Sequence, residues 1–315
     1  MNPLRKMGLK SWIRLIPEFG FCLPFRLGLL SIVRLLCPAK MINWTFERKH
    51  KLIKDYLIKH VVNLDNKTSA FIDTELNNTI WVFWWQGINE MPDIVRLCYQ
   101  RLCEVNTNAN VILVNRDNYM EYVDIPDHIV KKIGKQISIT HFSDILRANL
   151  LYKYGGIWVD STLYFIKQIP EEFFRMPFFS IKDKIKSSMS PARHRWTGFF
   201  ICAKAGSCFI KQFVDCFNNY WSIKENLIDY LLIDYFLDII YDQNIEFKTI
   251  INDMQYTDYN VHCMDKVASN FDQAFCEDIL QNNLFIKMSY KGYNIDKLQS
   301  YNSNFKHIIQ KRDGK

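Results

Sequence analysis

The sequence predicts an α/β protein, an open and mostly parallel sheet flanked by helices, preceded by a basic helical region. Three observations lead there. From about residue 80, short apolar runs alternate with segments of helical period, the pattern of strands joined by crossover helices. A chain of 315 residues that is 49% hydrophobic can fill a sizeable core. The charge is also segregated. Residues 1–60 hold twelve Lys and Arg against three Asp and Glu, whereas the remainder holds 28 against 30, so the whole positive excess sits in the first fifth.

That first region mixes its cations, among them Arg5, Lys6, Lys10, Arg14, Arg26, Arg34 and Lys40, with an apolar series from Trp12 to Leu36. The run from Phe19 to Cys37 approaches the length that spans a bilayer, but Pro24, Arg26 and Arg34 interrupt it. An arginine at bilayer depth costs on the order of 3 kcal/mol, so spanning is disfavoured. Lying in the interface is cheaper, because apolar side chains enter the headgroup boundary and each cation gains about 1 kcal/mol beside anionic lipid. Residues 1–65 are therefore expected to form a membrane-surface helical region, with residues 1–40 in contact with an anionic membrane. A basic hairpin that packs on the rest of the chain and touches no lipid is the alternative. Nucleic acid is not expected as a partner, since the remaining sequence offers no basic groove. No signal peptide is evident, and nine scattered cysteines without a CxxC pair read as reduced thiols. These features place the chain in the cytoplasm, peripheral to the inner face of the cell membrane.

A helix around Trp44 to Val62 and a polar link from Asn63 to Asn78 lead into the alternating part, residues 75–315. Ile80 to Trp85 reads as a buried strand and Pro92 to Asn106 as a helix opened by Pro92 and Asp93. Asn110 to Asn115 is a second strand, Ile125 to Lys135 a further helix, Ser143 to Tyr154 another, and Ile157 to Val159 a strand. In open sheets of this kind ligands sit beyond the carboxyl ends of the strands. Two candidates fall there: the Trp84-Trp85-Gln86-Gly87 turn and Asp160. Strand alternation sends one of Trp84 and Trp85 to the core and its neighbour to the cleft.

Ser143 is read as a helix N-cap, and Asp144 and Arg147 stand three apart on one helical face. An acid and a guanidinium so spaced offer an acceptor and a fork of donors to sugar hydroxyls or phosphate, although such a pair is more often an ordinary helix ion pair. Gly155-Gly156 then ends the helix and turns the chain into Ile157-Trp158-Val159, leaving Asp160 at the strand tip. The passage from Ser143-Asp144-Ile145-Leu146-Arg147 through Tyr152-Lys153-Tyr154-Gly155-Gly156-Ile157-Trp158-Val159-Asp160 resembles the signature of the DXD-containing sugar transferases of glycosyltransferase family 32. It is closest to their capsular polysaccharide synthesis branch and is also similar to the catalytic segment of the large glucosylating bacterial toxins. Trp81 to Gly87 resembles the family's first strand, and Phe285-Ile286-Lys287-Met288-Ser289-Tyr290-Lys291 a KLxYK-like ending. The resemblance covers roughly residues 75–295 in order, with only the central segment specific.

The resemblance implies a catalytic domain of GT-A type, a nucleotide-sugar-binding fold, over residues 75–315. It implies retaining transfer of a hexose from a nucleoside-diphosphate sugar, UDP-linked by expectation, to a growing bacterial capsular or surface polysaccharide, and the basic apolar N-terminus adds the expectation that this acceptor is lipid-linked. Trp84 would stack on uracil with Gln86 and Gly87 shaping the turn, Asp160 would orient ribose and ion, and Ser143, Asp144 and Arg147 would hold the donor sugar. A divalent cation, Mn²⁺ or Mg²⁺, would be bound through Asp160. The second DXD position is Thr162, a poorer ligand than a carboxylate, which puts metal dependence in doubt. Lys287 and Lys291 are then the candidates to meet charge on the leaving diphosphate. On the acceptor side stand Trp196 and Thr197, from the polar and aromatic stretch Ser187 to Phe200, and Asp234, within the apolar helix expected over Leu227 to Tyr241. Solvated lysines and solvated helix acids are the plainer readings of Lys287, Lys291 and Asp234. Two other classes compete: a non-catalytic nucleotide-sugar-binding scaffold or sensor, motivated by the missing second carboxylate, and a glycan hydrolase, for which no flanking carboxylate pair is evident.

Overall fold

The computed structural model describes residues 12–64, 68–185, 187–257, 259–299 and 302–312. After a single helical turn, Ile16–Phe19, come two longer helices, α1 (Cys22–Leu36) and α2 (Ala39–His60). Pro38 separates them in an extended conformation suited to the residue before a helix, which is why α2 begins five residues before the expected Trp44. After the polar link come β1 (Thr79–Phe83), α3 (Asp93–Val105), β2 (Asn110–Val114), α4 (Ile139–Tyr154), β3 (Gly156–Val159) and β4 (Leu163–Phe165). Then follow β5 (Phe178–Ser180), β6 (Phe200–Ala203), α5 (Cys208–Ile223), α6 (Leu232–Gln243), α7 (Ile245–Asp253), α8 (Gln273–Asn282), β7 (Phe285–Lys287) and α9 (Asn304–Arg312).

The main sheet has the order β2-β1-β3-β6-β5. β1 is parallel to both β2 and β3, while β6 runs antiparallel to β3 and to β5. Four of the five strands therefore point one way, the mostly parallel sheet that the alternating pattern predicts. Along its strands burial alternates between two cores. Trp81, Phe83, Trp158 and Ile201 pack with α4, α5 and α6, whereas Ile80, Val82, Ile157, Val159 and Phe200 pack on the opposite face. A separate two-stranded sheet joins β4 to β7, with Leu163 opposite Lys287.

Several expected boundaries move for identifiable reasons. The helix expected over Ile125 to Lys135 is a single turn, Asp127–Val130, because the chain reverses at Gly134 in the left-handed region (φ 75°) and bridges Ile133 to Ile137. α4 starts four residues before Ser143: the side chain of Ser138 is the cap, accepting from the amide of His141. Residues 227–231 form a turn ahead of α6. The glycine pair does close α4, with both glycines at positive φ. A Cβ on Gly156 would lie 2.4 Å from the Thr79 carbonyl oxygen, so only glycine lets β3 enter the sheet beside β1.

The amino-terminal helices are built into the main core. Leu23, Leu27, Ile53 and Leu57 belong to the cluster that also holds Phe217, Phe236 and Trp158. Buried charge joins α2 to the α6 region: Lys49 lies 2.6 Å from Asp229, and Lys54 contacts Asp238 and Asp242. Lys49 and Lys54, within the region of residues 1–65 expected at the membrane surface but beyond the part expected to touch lipid, thus face inward. Arg34 does likewise, donating to the Thr45 hydroxyl with its guanidinium 3.9 Å from the Phe46 ring centre. Arg5, Lys6 and Lys10 lie outside the described residues. No described helix is long and apolar enough to cross a membrane, and the nine cysteines are all free.

Candidate functional site

The parallel pairing of β1 with β3 puts Val82 opposite Val159, so the next residues along both strands, leading to Trp84 and to Asp160, leave the sheet side by side. β6 arrives from the other direction, and the amide of Asp160 donates to the Phe199 carbonyl at 2.9 Å, which brings Gly198 and Thr197 to the same rim. α4 carries Asp144 and Arg147 beneath it. β7, drawn in by its pairing with β4, delivers Lys287.

Asp160 is the hub. Its Oδ1 accepts from Arg147 Nη2 at 3.2 Å and from the Trp158 indole at 3.0 Å, and its Oδ2 accepts from Lys287 Nζ at 3.2 Å. Burial works against ionisation here, but the Lys287 and Arg147 charges, with the indole N–H, hold the carboxyl below the usual carboxylate range. The side chain remains 31% exposed, open enough to meet a ligand.

Arg147 is only 4% exposed. Its Nη1 lies 3.0 Å from Asp144 Oδ1, and its guanidinium stands 4.8 Å over the Trp158 ring. The guanidinium fork expected to face sugar hydroxyls is therefore occupied by two carboxylates of the chain, and Arg147 acts as the clamp between Asp144 and Asp160. Gly198 makes room for it, since a Cβ there would sit 2.9 Å from Nη1. A third member of α4 was not anticipated. His141 Nε2 accepts from the Trp221 indole at 3.1 Å, so its ring proton sits on Nδ1, 3.5 Å from Asp144 Oδ2.

The other expected residues divide. Trp84 is half-buried at the strand tip, its ring 5.7 Å from Tyr290 in an edge-to-face contact, while Trp85 turns to Tyr119 and Phe142 in the core. Gln86 is exposed on the turn and Gly87 takes φ 81°. Ser143 lies inside α4 and its hydroxyl donates to the Thr140 carbonyl, a local helix bond that turns it from the cleft. Lys291 is exposed beyond β7 with its ammonium over Tyr290, so of the two lysines only Lys287 reaches Asp160. Trp196 is 2% exposed, packed against Tyr241 and Phe247, and cannot offer its ring to a sugar. It donates instead to Asp234 Oδ1 at 3.2 Å, while the Ser190 hydroxyl donates to Oδ2 at 2.6 Å. Thr197 is half-buried and tied to the Ser180 hydroxyl.

Asp234 is nearly enclosed, and burial pushes its carboxyl up to about 6, with the Asp144 charge adding to the effect and Arg147 opposing it. It therefore lies within the field of the Asp144–Arg147 pair. Tyr230, which no sequence pattern singled out, is half exposed, and its phenol is raised by burial and by the charges of Asp144 and Asp160.

A divalent ion asks for about six oxygen ligands. Here Asp160 is the one carboxylate of the DXD-like positions, Thr162 supplies a hydroxyl, and the Lys287 ammonium stands 3.2 Å from the first and 3.3 Å from the second. Among the described residues no group of three or more His, Cys, Asp or Glu is arranged to hold a metal. The donor set does not fit a protein-held divalent ion, and a fixed cation already lies between its two oxygens.

Sequence comparison reaches fungal proteins. The chain is 26% identical over 187 residues to a protein named O-glycosyltransferase braB from Annulohypoxylon truncatum, covering 52% of this chain and 43% of that protein. It is 23% identical over 194 residues to the probable glycosyltransferase FCK3 of Fusarium pseudograminearum (strain CS3096), covering 53% and 46%. The chain spans under half the length of these curated relatives. Among solved structures, the PaToxG glycosyltransferase aligns with 86% of this chain and 95% of its own at 12% identity and a TM-score of 0.37, a correspondence too loose to bear on function. The family described as capsular polysaccharide synthesis protein matches residues 36–308, a span that takes in α2, the rim around Asp160 and β7. By that match, the chain belongs to the capsular polysaccharide synthesis protein family.

Proposed function

We propose that this chain is a glycosyltransferase that moves a hexose from a nucleoside-diphosphate sugar to a glycan acceptor. The reading rests on one observation: Asp144 and Arg147 from α4, Asp160 after β3 and Lys287 from β7 converge at the carboxyl ends of neighbouring parallel strands beside Trp84. The glycosyltransferase names of the fungal relatives support it. In a GT-A type donor site the base would stack on Trp84, with uracil the expected base. Asp160 would meet ribose and sugar hydroxyls, and Lys287 would face the diphosphate.

The chemistry asks little else of the protein. As the bond from the anomeric carbon to the diphosphate oxygen breaks, charge grows on the diphosphate, and a fixed ammonium in a partly enclosed site stabilises it. Transfer with retention would let that departing oxygen take the acceptor proton. Asp234 supports this version, because both of its oxygens already accept hydrogen bonds and it serves better as an anchor for the acceptor wall than as a base. The acceptor is proposed to be lipid-linked. The named relatives are fungal, so a bacterial surface polysaccharide is not carried forward as its identity.

A panel of nucleotide sugars, screened for thermal stabilisation with and without Mn²⁺ and then for sugar transfer or hydrolysis, tests the reading. The true donor should raise Tm and turn over, and Asp160→Asn should still fold but lose transfer by at least about a hundredfold. Full activity of Asp160→Asn would overturn the assignment. Stabilisation by a nucleotide sugar without any turnover would favour the scaffold or sensor reading.

A further inference from the structure

Helix α1 is amphipathic the wrong way round for a helix on a protein surface. Phe21, Phe25, Leu29, Ile32 and Leu36 recur at helical spacing and form one stripe, and all five are exposed, from 39% at Ile32 to 81% at Leu36. The inward side buries Leu23 and Leu27 together with polar contacts: Ser31 accepts from the Trp12 indole, and Arg34 is turned to Thr45. The Phe21 and Phe25 rings stack at 5.2 Å and, with Ile13 and Ile16, help to wall an apolar groove of about 280 Å³. A contiguous apolar surface of this kind on a soluble domain marks a contact site.

We propose that this face of α1 docks on an anionic lipid bilayer, with the helix lying in the plane of the interface. Charge selects the occupant. Arg14, Arg26 and Lys40 are exposed around the stripe, and the sequence just before it adds Arg5, Lys6 and Lys10. The acids of the region are engaged elsewhere: Glu18 accepts from Asn226, Glu47 from Ser188, and Asp55 pairs with Lys51. A second copy of the chain would bring a like-charged rim against the first. A bilayer with anionic headgroups meets the stripe with hydrocarbon and the rim with negative charge. No described helix can span, so the contact is peripheral. Through Lys49 and Asp229, α2, which packs on α1, is tied to the turn carrying Tyr230.

Docking does not depend on the transfer chemistry, and its test reads neither donor nor product. The full chain is floated with phosphatidylcholine vesicles and with phosphatidylcholine vesicles containing phosphatidylserine, at low and high salt. Binding is expected on the phosphatidylserine vesicles and should weaken with salt. Phe21→Ser/Phe25→Ser/Leu29→Ser changes only exposed side chains, so it should melt like the parent and lose vesicle binding. Arg14→Glu/Arg26→Glu/Lys40→Glu should lose the preference for phosphatidylserine, by roughly fivefold per cation removed. Absent binding to phosphatidylserine vesicles overturns the proposal, as does undiminished binding of the serine variant. A parent dimer that the serine variant converts to monomer, with no vesicle binding by either, would assign the face to self-association instead.

Discussion

Asp160 shows how a single side chain acquires its chemistry from neighbours that are remote in sequence. The acid at the strand tip and the Asp144–Arg147 pair were legible, because a strand tip and a helical spacing of three are local facts. The ammonium was legible only as one of two candidates, since the antiparallel pairing of β4 with β7 is what selects Lys287 over Lys291. If that ammonium takes the part of a divalent ion, transfer should persist in excess chelator, while Lys287→Met should lower kcat by about a hundredfold and Mn²⁺ should not restore it. Chelator-sensitive activity that tolerates Lys287→Met would refute this. Asp234 makes an independent prediction through pH. Its folded value of about 6 lies above the ordinary 3.8, so the folded state holds the proton more firmly; the stabilisation is complete below about pH 3.8 and is lost as pH rises through about 6. Asp160, held low, contributes in the opposite sense, with stability present above its ordinary range and lost as acid protonates it. Between about pH 4 and about pH 7 the urea stability of Asp234→Asn relative to the parent should therefore rise by about 2 kcal/mol. A difference that stays constant with pH would show that burial does not perturb this carboxyl.

At the scale of elements, strands and long helices were readable from periodicity, whereas their ends were not. β1, β2, β3 and α3 fall within a residue or two of their expected limits, because apolar runs bounded by Pro, Asn or Gly carry their own punctuation. α4 was misjudged because Ser138 and Ser143 are equally good caps on paper, and only the hydrogen bond to His141 distinguishes them. α6 begins five residues after the expected Leu227, because the apolar run continues through the turn at 227–231, and its three acids look alike in sequence. In the fold Asp229 and Asp238 are consumed by Lys49, Lys54 and Arg195, and only Asp234 is left for the rim. The Lys49–Asp229 pair is almost fully enclosed, so losing one partner strands the other charge. Lys49→Met is expected to cost about 3–5 kcal/mol in urea unfolding. A loss below about 1 kcal/mol would mean that water reaches Asp229 freely.

For the molecule as a whole, fold class was the easiest feature to read and internal division the hardest. Composition separated a basic region of residues 1–65 from the remainder, yet packing does not respect that line, since α1 and α2 complete the core on α6. Charge segregation describes where a surface faces; it says nothing of what lies behind it. A fragment restricted to residues 68–315 should accordingly lack a sharp thermal transition and expose apolar surface to a hydrophobic dye. A cooperative transition close to that of the full chain would show that the helices are dispensable.

The geometry also fixes an order of events during synthesis. Asp160 and Arg147 leave the ribosome together, but their ammonium partner follows 127 residues after the acid. At translation speeds of about 5–20 residues per second, that interval is on the order of ten seconds. For that time the nascent chain carries the acid without the ammonium that faces it in the folded protein. The Asp160–Lys287 contact thus forms only when the small β4–β7 sheet closes, so a polypeptide interrupted before that closure carries the acid without its fixed counter-charge.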